Sequence, residues 1–199
     1  MSDFLKAKFQ EWTCGKNVRD ARIAIFDRVR DIPYAIIPEL NNPLTYTKIL
    51  DFNRGSCTPK HFLLCAMFQM LSLPVLYVVY QYKWEEFQNL YPPELGELAR
   101  QIPQANHLAC KVEIEGKLVL VDATLDPALS VLGLPVNKQW NGLDDTLLPI
   151  EPCGEEQIYH PSEAKLMKPQ QVNNAEKPFY EALNLWLESL RLKSKLKSK

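Results

Sequence analysis

Residues 54–71 read Arg54-Gly55-Ser56-Cys57-Thr58-Pro59-Lys60-His61-Phe62-Leu63-Leu64-Cys65-Ala66-Met67-Phe68-Gln69-Met70-Leu71. Asn53-Arg54-Gly55-Ser56 breaks the pattern ahead of the cysteine. Pro59 suits a first helical turn, where an N–H would lack a partner anyway. The spacing predicts a helix from Cys57 to Leu71. Phe62, Leu63, Ala66, Met67 and Met70 make one apolar face. Leu64, Cys65 and Phe68 carry it most of the way round, so this helix belongs in the middle of a domain. It opens on a cysteine. The first N–H groups of a helix are unpaired and carry the positive end of its dipole. Both favour the thiolate, which is the nucleophilic form. Gly55 is expected to let the backbone turn and to leave room for a substrate carbonyl.

Downstream, Leu76 to Tyr82 is rich in Val and Tyr and is predicted to be a strand. Trp84 to Pro103 is a polar helical or irregular segment broken by Pro92, Pro93 and Gly96. Leu108–Ile114 and Lys117–Val121 alternate around Glu115-Gly116, the signature of a hairpin with a two-residue connection. Pairing Ile114 with Lys117 sets Ala109 opposite Asp122. His107 shares a face with Ala109 because side chains alternate. His107 and Asp122 are then diagonal neighbours on one face, and Cys110 points away from them. An aspartate ending the apolar run Leu118-Val119-Leu120-Val121 needs a partner, because a buried unpaired charge is costly. An imidazole is a suitable one. The carboxylate would hold His107 in one tautomer and stabilise its protonated form, while the other ring nitrogen takes the proton of Cys57. The catalytic candidates are therefore Cys57, His107 and Asp122.

Upstream, Asn17–Arg30 is predicted to be a helix with Val18, Ala21, Ile25, Phe26 and Val29 on one side. Pro33 and Pro38 end it, and Thr45–Phe52 follows as a short helix. At the start of the chain, Phe4, Leu5, Phe9 and Trp12 fit one helical face. Asp126–Ile150 reads as a loop punctuated by Pro, Gly and Asn. A last amphipathic helix is expected over Lys177–Leu192, carrying Phe179, Leu183, Trp186, Leu187 and Leu190. The basic run 193–199 is expected to be a solvated, disordered tail. No repeat or long linker divides the chain. The expectation is one domain over 1–192, with a core at about 17–127 and C-terminal loops and helix over 128–192.

The chain has 199 residues, 24% of them charged, and a formal net charge of −1. With no basic excess, nucleic acid is an unfavoured partner. No run of about 18 apolar residues is present, so no membrane span is expected. The N-terminus lacks the apolar stretch of a signal peptide, which points to the cytoplasm. The five cysteines are widely spaced and include no C-x-x-C pair, so they are expected to be free thiols without structural zinc. Cys57, His61 and Cys65 stand four apart on one stripe. That spacing fits no common zinc motif and lacks a fourth ligand, so His61 and Cys65 are read as packing residues. No cofactor or metal is expected.

Taken together, these segments resemble the transglutaminase-like superfamily. Arg54-Gly55-Ser56-Cys57-Thr58-Pro59-Lys60 resembles its nucleophile motif. Asn106-His107 through Val121-Asp122-Ala123-Thr124 resembles its histidine and aspartate strands. Ile25-Phe26-Asp27-Arg28-Val29-Arg30-Asp31-Ile32-Pro33-Tyr34 resembles its upstream helix, and Leu71-Ser72-Leu73-Pro74 its turn into a strand. The likeness covers residues 20 to 127. It implies an α+β, papain-like core in which the nucleophile helix packs on an antiparallel sheet. It also implies a Cys-His-Asp triad that forms a thioester with an acyl group taken from a peptide or protein amide, which water or an amine resolves. A catalytically idle fold serving as a protein-binding module is the rival reading. Ser72 departs from the family's usual Gly, and Leu76 from an Arg. The Cys57 N–H is one expected oxyanion donor, and Asn53 is a candidate for the second. Trp84-Glu85-Glu86-Phe87 and Tyr91-Pro92-Pro93 are candidates for a lid over the cleft or a docking surface.

Overall fold

The computed structural model describes residues 3–163 and 176–197. Helix α1, Asp3–Thr13, buries Leu5 and Trp12. Phe4, expected on the same face, stands 45% exposed. Helix α2, Val18–Arg30, is capped by Asn17, whose side-chain oxygen accepts from the Asp20 N–H at 2.9 Å. Its Ile25, Phe26 and Val29 are fully buried, whereas Val18 is exposed at the first turn. The short helix α3, Ile49–Phe52, ends on Asn53 in the left-handed region (φ +48°), which asparagine tolerates better than most residues.

Helix α4, Cys57–Met70, is the centre of the molecule. Eleven of its 14 residues are buried, as an apolar surface nearly all the way round requires. One side packs on Ile25, Phe26 and Val29 of α2, the other on a sheet. That sheet holds β1 (Val75–Tyr82), β2 (Ala105–Ile114), β3 (Lys117–Val121) and β4 (Gln157–Tyr159) in the order β3-β2-β1-β4, with every neighbouring pair antiparallel. The fold is therefore α+β, with the cysteine helix packed on an antiparallel sheet, consistent with a papain-like layout. The hairpin register is Ile114 to Lys117 through Cys110 to Val121, as the alternation requires. Glu115 and Gly116 both adopt positive φ at the turn, the primed-turn geometry that matches strand twist.

The remaining elements close one end of the sheet. Helix α5, Pro93–Arg100, and helix α6, Lys177–Lys197, share an apolar cluster built on Tyr34, Tyr82, Trp84, Leu95, Phe179 and Leu183. Inside the segment expected to be loop, Pro127–Leu132 forms a 3-10 turn that Gly133 stops at φ +75°. Strand β4 escapes sequence reading because three residues are too few to show a period. The expected disordered tail is corrected over 193–197, where α6 continues. No Pro or Gly interrupts it there, and lysines suit the negative end of a helix dipole. Residues 198 and 199 lie outside the described residues.

Gly55 has a different role from the one expected of it. Its N–H donates to Pro33 O, its carbonyl accepts from the Ala35 N–H, and it forms a parallel bridge with Tyr34. A Cβ there would lie 2.6 Å from Ile49 Cδ1 and 3.2 Å from Pro59 Cγ. Ile49 is fully buried and has nowhere to move. The missing side chain makes room for Ile49, not for substrate. Gly55→Ala is expected to destabilise by about 1–3 kcal/mol through overpacking. Thermal unfolding checks this against Gly96→Ala, whose new Cβ would meet nothing closer than 4.0 Å. Equal melting temperatures for the two variants would refute it. Ser72, where the resemblance expects Gly, sits at φ +61°, a conformation that costs a non-glycine roughly 1–2 kcal/mol.

Candidate active site

Cys57 is the first residue of α4 and only 6% exposed. Ser56 precedes it as N-cap, yet makes no side-chain cap. Its hydroxyl instead bonds Asn41 Oδ1 at 2.7 Å. The first N–H groups of α4 thus keep their positive field beside the thiol.

His107 lies in β2 opposite Tyr80, and Asp122 follows the last residue of β3. The His107 Nε2–Asp122 Oδ2 distance is 2.5 Å, with both side chains buried. This leaves Nδ1 free; the ring lies 6.1 Å from that of His61, whose own Nδ1 bonds the Cys57 carbonyl, and the thiol is near enough to raise the pKa of His107. The three sequence-derived candidates therefore meet at one point. Cys110 stays out, as expected: it is buried in the same core cluster as Cys65. Asn53 is exposed at the end of α3, and its left-handed backbone gives that position a turn role.

Electrostatics follow from the geometry. Burial pushes the Cys57 thiol up, but the His107 ring and the Leu108 N–H outweigh it and leave the thiol below its ordinary value. Burial pulls His107 down, but Asp122 and Cys57 more than reverse it and lift the ring to about 10. Asp122 is pushed up by burial and brought down further by His107, to about 2. The sign is fixed by comparison with the unfolded chain. The raised histidine stabilises fully below its unfolded value near 6.5 and loses this as pH rises through about 10. The depressed aspartate stabilises above its unfolded value near 3.8 and loses this as pH falls through about 2.

Several supports were not visible in the sequence. Asp122 Oδ1 accepts from the Thr124 N–H at 2.9 Å, the Asp122 N–H donates to Thr146 Oγ1 at 2.7 Å, and the Asp122 carbonyl accepts from Asn137 at 3.0 Å. Asn137 and Thr146 belong to the segment read as plain loop. His61, read as a packing residue, does more. Its Nδ1 donates to Cys57 O at 2.8 Å and its Nε2 accepts from the Ala123 N–H at 3.0 Å. That pair of roles requires a neutral ring, and burial lowers its pKa to about 4. His61 thus ties the start of α4 to the end of β3. Lys60 is fully buried and donates to the carbonyls of Arg30 (2.9 Å), Ile32 (2.8 Å) and Thr124 (2.7 Å). Burial lowers it to about 7, against the pull of Asp126 and Asp122.

His107 also lines an apolar cleft of about 50 Å³. The walls come from Tyr34, Tyr82, Trp84, Phe87 and Tyr91, with Leu183 and Trp186 of α6. The aromatic segments expected as a lid therefore stand beside the histidine. Among the described residues, no cluster of three or more His, Cys, Asp or Glu side chains is placed to hold a metal ion, and no helix is long and apolar enough to cross a membrane.

No family model matches the chain, and no curated protein matches it. Among solved structures, a candidate cysteine protease from Cytophaga hutchinsonii is similar, with a TM-score of 0.44 and 19% identity. The match covers 79% of this chain and 48% of that one, so the chain spans about half that protein's length. The chemistry of the site rests on its own residues.

Proposed function

We propose that the chain is a transglutaminase-like thiol enzyme that attacks a peptide or protein amide through Cys57, His107 and Asp122. The observation that carries this reading is the buried His107–Asp122 pair, which leaves one ring nitrogen free close to a cysteine at a helix start. The Cys57 thiolate adds to the amide carbon, and the oxyanion accepts a hydrogen bond from the Cys57 N–H. As the tetrahedral adduct collapses, the C–N bond breaks and His107 Nδ1 gives its proton to the departing amine. The acyl group remains on sulfur as a thioester. His107, now neutral, takes a proton from an incoming water or amine, which displaces the thiolate. Asp122 holds the ring in place throughout and favours its protonated form. Hydrolysis is the preferred outcome because water needs no second binding site. The domain boundaries expected from the sequence, one unit over 1–192, belong to this proposal too.

A second reading, an idle fold that binds a protein partner, draws on the burial of Cys57. The pH dependence of Cys57 alkylation by iodoacetamide separates the two. Peptide mass spectrometry reads Cys57 against exposed Cys14 and half-buried Cys153 in the same sample. An active thiol is expected to label rapidly at about pH 6, well below an ordinary thiol's pKa, and to lose this in His107→Ala. Labelling of Cys57 no faster than Cys14 would favour the idle module.

A further inference from the structure

The cleft beside His107 is mainly apolar, with the His107 ring and the phenols of Tyr34, Tyr82 and Tyr91 among its walls. Trp84 Nε1 and Thr124 Oγ1 are buried and have no hydrogen-bond partner among the described residues. Trp84 is 6% exposed and Thr124 3%, and both residues line the cleft. Native proteins leave few buried polar groups unpaired, so two in one cleft point to an occupant that supplies their partners. Both groups are rigidly held. The Trp84 ring meets Tyr82 and Phe179 edge-on, each at 5.1 Å between centroids. The Thr124 backbone is fixed by Asp122 Oδ1 and by Lys60. The cleft lies beside the triad: His107 and Tyr34 are two of its walls, and Tyr34 is bridged to Gly55, two residues before Cys57.

We propose that this cleft binds a bulky apolar side chain, aromatic or branched aliphatic, of the peptide whose amide Cys57 attacks. The Trp84 indole N–H donates to a carbonyl oxygen of that peptide, and the Thr124 hydroxyl bonds its backbone. The inference rests on the thiol-enzyme reading and adds a substrate class to it. An indole N–H only donates, so it selects for an acceptor. A peptide offers a carbonyl next to each side chain, whereas a lipid chain would fill the apolar walls and leave the donor unmet. A charged side chain would lose its hydration with no partner in return.

The test uses the intact protein and two reagents, N-phenethyl-iodoacetamide and N-(2-carboxyethyl)iodoacetamide. They share the reactive carbon and the amide carbonyl and differ in the group presented to the cleft. The rate ratio of the two at Cys57, divided by the same ratio at exposed Cys14, isolates recognition from reactivity. The normalised ratio is expected to reach about 10 or more, the scale of one buried apolar group. Trp186→Arg and Leu90→Arg, both at half-buried cleft positions, should each bring it near 1; a misfolded product in one leaves the other to decide. Trp84→Phe keeps a ring and removes only the N–H, and should slow Cys57 labelling by the phenethyl reagent, relative to Cys14, about 3- to 10-fold, the worth of one hydrogen bond. A normalised ratio of 1 in the wild-type protein, with rapid labelling by plain iodoacetamide, would overturn the cleft assignment and leave the thiol reading standing. Unchanged labelling of Cys57 by the phenethyl reagent, relative to Cys14, in Trp84→Phe would overturn the assignment of a peptide. Labelling of Cys57 no faster than Cys14 by plain iodoacetamide would overturn the thiol reading, and the inference with it.

Discussion

Cys57→Ala and His107→Ala are each expected to cut amide turnover by roughly 10⁴-fold or more, while the protein stays folded. Removing the nucleophile or its proton carrier disables the whole unit, so the double variant should be no worse than either single one. The two replacements differ in their side effects. Cys57→Ala removes one small buried side chain. His107→Ala strands Asp122 without its cation, so its aspartate should titrate upward and its stability near neutral pH should fall. Asp122→Asn keeps the shape, but it removes the charge that, together with Cys57, offsets burial at His107. Its activity should fall less than that of the other two, and its alkaline limit should move down from about 10. The measurement is turnover on a substrate that the wild-type protein demonstrably cleaves, with circular dichroism as the folding control. Full activity in Cys57→Ser, or additive losses in the double variant, would refute the mechanism.

Arg191→Met is expected to be the most damaging single change away from the site. Arg191 of α6 bonds both oxygens of Asp126, at 2.6 and 3.2 Å, and the Tyr34 carbonyl at 2.8 Å. Asp126 also accepts from the Tyr34 N–H at 2.9 Å. The Arg191 and Asp126 side chains are only 8% and 5% exposed. Breaking such a pair from one side leaves a buried charge unmet, at a cost of about 3–5 kcal/mol. For a chain of this size that is a fall of roughly 10 °C in melting temperature. Replacing both partners, Arg191→Met with Asp126→Leu, should recover much of it, because no charge is then left behind. Calorimetry on the three variants decides the matter. A fall of less than about 2 °C in Arg191→Met would mean the pair is not an anchor.

The parts legible in the sequence are those governed by local rules. The Cys57 helix was readable because its apolar residues recur at helical spacing over four turns. The meeting of His107 with Asp122 was readable because the turn at Glu115-Gly116 sets the register and two-residue alternation does the rest. What escaped depends on contacts between distant residues. Lys60 looks like an ordinary surface lysine in a motif, yet it gathers three carbonyls from two separate segments. Asn137 and Thr146 brace Asp122 from a segment with no period at all. Gly55 reads as a substrate-side glycine because no local rule announces Ile49, six positions upstream, as its packing neighbour.

The bond from Arg191 to the Tyr34 carbonyl spans 157 positions, and this bears on how the protein is made. Tyr34 is bridged to Gly55, two residues before the thiol. A ribosome that has passed Asp122 has already made every candidate catalytic side chain, but not the clamp beneath the loop that carries one of them. At roughly 5–20 residues per second the clamp follows several seconds later. During that interval the bed of Cys57 is unfinished, and under the proposed mechanism readiness to react would arrive only once α6 has been synthesised and docked.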